Sequence, residues 1–159
     1  MARYFNLVMQ GGRNEVEAEQ MAECFRNIVL HFDSGLTMRC RCWIEQDLQG
    51  FWWTACTPLG ASYGGCIDSD KHLLTDEKQH EELRNLLYRN LHDAPPFRCA
   101  IAGWETQDMI FSGENPPYRS FTFADFDIVC DELWNELQRP IEYSFFKTGY
   151  VVKTTLPQL

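Results

Sequence analysis

Between residues 18 and 32 the apolar residues Ala18, Met21, Ala22, Phe25, Ile28, Val29 and Phe32 recur at the 3.6-residue spacing of a helix and fall on one side of it. A stripe of that kind must be buried against another layer, so the chain needs a packed partner surface for it. The strand-like Tyr4-Phe5-Asn6-Leu7-Val8-Met9 lies just upstream and ends at Gln10-Gly11-Gly12-Arg13. Asn14 is placed as N-cap with Glu17 three residues later, close to a capping box, and Asp33-Ser34-Gly35 is expected to close the helix.

Residues 36–45 and 51–56 alternate as strands around a turn at 46–50, which predicts a hairpin. The expected register sets Ile44 against Trp52, Cys42 against Thr54 and Cys40 against Cys56, leaving Arg41, Trp43, Glu45, Phe51, Trp53 and Ala55 on the other face. Thr75 is expected to cap a second helix that buries Leu83, Leu86, Leu87 and Leu91, with Pro95-Pro96 beyond its end. Residues 97–104 and 108–111 read as strands, and residues 124–138 as a third helix burying Phe126, Val129, Cys130, Leu133 and Leu137. A last strand is expected at 150–155. The order β-α-β-β-α-β-β-α-β predicts one α+β domain over residues 1–159: a mostly antiparallel or mixed sheet with three amphipathic helices packed on it. Its first six elements have the order of a ferredoxin-like unit, although order alone does not set topology.

Charge narrows the partners of such a domain. The chain carries 23 Asp and Glu against 14 Lys and Arg, a formal net charge of −9, and the excess is concentrated. Glu15, Glu17, Glu19 and Glu23 lie between Arg13 and Arg26, and Asp125, Asp127, Asp131, Glu132 and Glu136 lie in the base-free stretch 121–138. Glu15, Glu19 and Glu23 follow an i, i+4, i+8 ridge. Asp125, Glu132 and Glu136 form a second ridge, with Asp127 and Asp131 on the far side of that wheel. Acidic helical surfaces repel nucleic acid and anionic membranes and attract cations. Trp134 sits at the edge of the third stripe, and Trp43 and Trp53 share a strand face with Phe51, Arg39 and Arg41, where aromatic anchors for a partner are conceivable beside a core role. The expectation is an acidic cytosolic protein-binding module with a basic protein partner, such as a toxin or nuclease held by an immunity- or inhibitor-type protein, with no cofactor and no direct nucleic-acid contact. Short apolar runs and the lack of a basic start followed by an apolar stretch argue against a membrane span or a leader.

A rival reading places a small enzyme or ligand-binding domain on the irregular segment 57–72, with Tyr63, Cys66, Asp68 and His72 as candidate groups. The seven cysteines are irregularly spaced within apolar segments, which favours free thiols. Cys40, Cys42, Cys56 and Cys66 would converge as zinc ligands only if the strands bring them together, since no Cys-x2-Cys knuckle is present. Gly11-Gly12 between strand and helix has neither the lysine of a phosphate-binding loop nor a third glycine.

Overall fold

Every residue of the first strand, β1 (Phe5–Gln10), is buried, including Asn6 and Gln10, which identifies it as an interior strand. A computed structural model describes residues 3–62, 73–106 and 123–155. After β1 come α1 (Glu15–Asn27), β2 (Leu30–His31), β3 (Thr37–Met38), β4 (Cys40–Gln46), β5 (Trp52–Pro58) and α2 (Glu77–Asn90). The remainder is β6 (Cys99–Trp104), a 3-10 turn (Phe123–Asp125), β7 (Ile128–Cys130), α3 (Asp131–Glu136), β8 (Tyr143–Lys147) and β9 (Tyr150–Lys153). Seven strands form one antiparallel sheet in the order β4-β5-β1-β6-β7-β9-β8, and β2 and β3 pair separately. The run β4-β5-β1-β6, with α1 and α2 as connections, has the strand order of the ferredoxin-like unit. The α+β expectation holds.

One sheet face carries Phe5, Leu7 and Met9, covered by Met21, Ala22 and Phe25 of α1 and by Leu83 and Leu87 of α2. The opposite face carries Val8, Trp53, Ala55, Val129 and Val151, covered by Phe126 and by Leu133 of α3. Among the described residues no helix is long and apolar enough to cross a membrane.

Four local expectations need correction. Asn14 does cap α1, its side chain accepting from the Val16 N–H, but the helix ends at Asn27 and Ile28 is extended. Leu30 and Phe32 are buried with the exposed His31 between them, a strand alternation in which Asp33-Ser34-Gly35 turns a short hairpin. Gly35 supplies the positive φ of 85° there. In the β4–β5 hairpin, Cys42 faces Cys56, Ile44 faces Thr54, and Cys40 faces Pro58, a shift of two residues from the expected register. The Asp47 carboxylate accepts from the Gln49 and Phe51 N–H groups, tightening the turn and bringing Gln46 opposite Trp52. A two-residue shift leaves every side chain on its expected face.

Asp76, rather than Thr75, caps α2 by accepting from the Gln79 N–H, and Gln79 in turn accepts from the Thr75 N–H. The third helix is much shorter than 124–138. Ile128–Cys130 pairs with β6 on one side and β9 on the other, and only Asp131–Glu136 is α-helical. The β-branched pair Ile128-Val129 gains ladder hydrogen bonds and burial on both faces, which outweighs the helical spacing of its neighbours. The expected strand at 108–111 lies outside the described residues.

Candidate protein-docking site

The short α3 packs against β7 and β9. Beyond it β8 is an edge strand, paired with β9 and, among the described residues, with no other strand. Tyr143 and Phe145 point to the same face as α3 by strand alternation. Tyr143 is buried and donates to the Phe126 carbonyl at 2.7 Å, whereas Phe145, opposite Val151, is 76% exposed. Ile141, just before the strand, is 96% exposed. Single exposed apolar residues are ordinary, but here two bulky ones stand four residues apart, on one turn and the edge strand that follows it.

The connection that presents Ile141 is strained. Gln138 and Arg139 have φ of 64° and 53°, the left-handed region that costs a non-glycine residue about 1–3 kcal/mol. Side chains hold it in place: Arg139 Nε donates to Asn135 Oδ1 at 2.6 Å, its guanidinium lies 5.8 Å from the Trp134 ring centroid, and Trp134 Nε1 donates to the Pro140 carbonyl. A tight, braced turn thus carries the chain out of α3 with Ile141 uncovered.

Carboxylates stand on α3 and on the turn that follows it. Asp131, Glu132 and Glu136 are exposed on α3, and Glu142 is exposed beside Ile141. Burial pushes the Tyr143 hydroxyl up from its ordinary pKa, and the charges of Asp127, Glu142 and Asp125 add to the effect. The cations nearby are Arg139 and Lys153, the latter 5.9 Å from the Tyr143 ring centroid. Among the described residues, the carboxylates of α3 and Glu142 form no salt bridge.

The other expected partner-binding positions separate into three groups. On α1, Glu15, Glu19 and Glu23 are exposed, but Arg26 pairs with Glu19 at 2.8 Å and with Glu23 at 3.3 Å. A hydrogen bond from Asn27, then one from Arg26, holds the Glu23 carboxyl below its usual value. This ridge is partly neutralised from within, and α1 covers the sheet face opposite α3.

Trp53 is fully buried, with Nε1 donating to Asp47 and its ring 5.9 Å from Phe126, so it is core rather than a partner anchor. Trp43 is half-buried against the same cluster. The guanidiniums over Phe51 are those of Arg13 and Arg98, at 4.4 and 4.3 Å.

Asp127 is also not a surface acid: it accepts from the buried Tyr88 hydroxyl at 2.5 Å, and burial lifts its carboxyl above the ordinary range. Asp125 is exposed on the 3-10 turn, away from the helix that was to align it with Glu132 and Glu136.

Tyr63, Cys66, Asp68 and His72 lie outside the described residues. Cys24, Cys40, Cys42, Cys56, Cys99 and Cys130 are free thiols, and burial pushes Cys40, Cys56 and Cys99 up, away from the thiolate form. Among the described residues no group of three or more His, Cys, Asp or Glu is placed to hold a metal ion.

The sequence reading missed Ile141 and Phe145. Their signal is the alternation Ile141, Tyr143, Phe145, which marks a strand but not its exposure. Comparison with protein-family models, with curated proteins and with solved structures finds no match for this chain.

Proposed function

We propose that the protein is a binding module that docks a basic protein partner on the α3–β8 corner. The observation that carries this reading is the exposure of Ile141 and Phe145 beside the unpaired carboxylates of Asp131, Glu132, Glu136 and Glu142. An apolar centre with a charged rim is the usual anatomy of a protein interface, and a rim of one sign speeds encounter with a partner of the other. The partner's apolar residues cover Phe145 and Ile141 while its lysines and arginines meet the rim. The most concrete version is an inhibitor or immunity-type protein that covers the nucleic-acid-binding surface of a toxin or nuclease, because such a surface is already cationic.

Photo-crosslinking tests the reading. A benzoylphenylalanine placed at Phe145 should yield a specific adduct in cells, whereas one at Val16 on α1, 61% exposed, should not. The captured partner should be basic, and its affinity for the purified protein should fall about tenfold or more when Glu132 and Glu136 are changed to lysine. Equal adducts at both positions, or a partner whose affinity ignores salt and these charges, would overturn it.

A further inference from the structure

The hydrogen bonds between β7 and β9 determine which backbone groups of β8 are left over. Lys153 N–H donates to the Asp127 carbonyl at 2.8 Å, and Asp131 N–H donates to the Gly149 carbonyl at 2.9 Å. Bonding sides alternate along an antiparallel strand, so Val151, midway between those two bonds and opposite Val129, also turns its N–H and C=O toward β7. Phe145 lies opposite Val151 on the other flank and therefore makes no ladder bond to β9. The Thr154 N–H donates to the Glu142 carbonyl at 2.7 Å, in keeping with that alternation. Glu142 and Ser144 thus face β9, and Tyr143 and Phe145 face outward. The Tyr143 N–H turns back to the Pro140 carbonyl at 3.4 Å. Among the described residues, the Tyr143 carbonyl and both backbone groups of Phe145 are left on the open side.

The opposite edge of the sheet is treated differently. On β4 the Cys42 carbonyl accepts from Arg26 Nε at 3.4 Å and Nη2 at 3.3 Å, and exposed Arg41 and Glu45 place charge along the strand. Charge and side-chain cover are the usual protections of an edge against pairing with another chain. On β8 the cation is turned away, because Lys147 Nζ donates to the Leu91 and His92 carbonyls at the end of α2. The irregularity between Phe145 and Lys147 ends the regular ladder, so the open stretch is short. Its central residue exposes a phenyl ring and an amide together, and Glu142 stands at its start.

We infer that the basic partner adds an extended segment to β8, as an eighth, antiparallel strand on the seven-stranded sheet. This rests on the reading of the α3–β8 corner as a docking site. One residue of the segment exchanges both backbone hydrogen bonds with Phe145, and the residue two further along donates to the Tyr143 carbonyl. Directly opposed residues share a face, so the side chain opposite Phe145 is apolar and lies against its ring. A lysine or arginine follows where the segment passes Glu142. A second copy of this chain would bring the same net charge of −9 to the edge, which favours a cationic segment over self-pairing.

Amide hydrogen exchange of the whole protein, read by nuclear magnetic resonance, tests the added strand. The probe is the synthetic peptide acetyl-Lys-Thr-Val-Thr-Val-Thr-Lys-amide. In the protein alone the Phe145 N–H should exchange at least about tenfold faster than the Ser144 N–H, and excess peptide should slow it by about tenfold or more. The same peptide N-methylated at its three central residues keeps every side chain and charge but cannot form the ladder, and should give no protection. Glutamate in place of both lysines should weaken binding at least about tenfold. A Phe145 N–H already protected in the protein alone would sink the inference, whether its own chain or, with protection rising with concentration, a second copy covers the edge. So would a peptide that leaves the Phe145 N–H unprotected, or an N-methylated peptide that binds equally well. The docking reading fails separately: a basic protein captured at Phe145 whose complex leaves that N–H unprotected would keep the docking corner and remove the strand. Protection by the peptide without any such partner would count against the docking corner alone.

Discussion

Two acidic helices of this protein look alike in composition and differ in surroundings. Along α1, Arg26 answers Glu19 and Glu23, and the apolar residues of that helix go inward onto the sheet apart from Val16. At α3, among the described residues, no cation pairs with the carboxylates, and two uncovered apolar side chains follow on the turn held in a costly conformation and the strand after it. The contrast teaches that acidity alone marks solubility as readily as recognition. What separates the two surfaces is whether the charge is answered internally and whether an apolar anchor stands next to it.

The largest test of that contrast compares aromatic residues. Trp53→Ala should destabilise the fold by about 3–5 kcal/mol, because it empties a core site and removes the indole donor to Asp47, whereas Phe145→Ala should change stability by no more than about 0.5 kcal/mol. Urea unfolding of the two variants reads the difference, and a comparable loss at Phe145 would place that ring in the core. Next in size is Asp127, the acid that is not a surface acid. Asp127→Ala leaves the buried Tyr88 hydroxyl without its acceptor and should cost about 1–3 kcal/mol. Asp127→Asn keeps an acceptor and removes a buried charge. Because burial raises the native pKa of Asp127, its proton favours the folded state at low pH, and that contribution is lost as pH rises through the native value. The asparagine variant should therefore gain stability relative to the unaltered protein between about pH 3 and pH 7, measured by unfolding at each pH. Were the gap to close with rising pH instead, the carboxylate would be stabilised by its surroundings.

The smallest energy, though the most specific, comes from charge reversal. Changing Glu132, Glu136 and Glu142 to lysine should slow partner association about tenfold at low salt, while the same change at Glu15 and Glu19 should leave the rate within about twofold. Stopped-flow association at two salt concentrations distinguishes the two helices. Equal slowing would mean that net charge, and not the α3–β8 corner, guides encounter.

Much of the fold was legible in the sequence, and the exceptions have physical causes. Asn14 and the stripe Ala18, Met21, Ala22, Phe25 are local signals, and the structure keeps them. The faces of β4 and β5 were legible because period-2 alternation survives an even shift of register, although the register itself depended on Asp47 binding its own turn. Strand β7 was not legible: it is interior and buried on both faces, so Ile128 and Val129 show no alternation, and the spacing of Phe126, Val129 and Leu133 mimics a helix. Of the candidate site, Asp131, Glu132, Trp134 and Glu136 stood out by charge and size. Ile141 and Phe145 did not, since exposure of an apolar residue is decided by how far α3 extends over the sheet, which no local pattern encodes.

The interior position of β1 also bears on how the chain is made. Its two neighbours, β5 and β6, begin at Trp52 and Cys99, so the apolar segment Phe5–Gln10 leaves the ribosome long before either flank exists. Pairings so distant in sequence slow folding, and a nascent chain in that interval carries an unprotected, aggregation-prone ribbon. The first strand therefore gains its second flank only once the chain has reached Trp104.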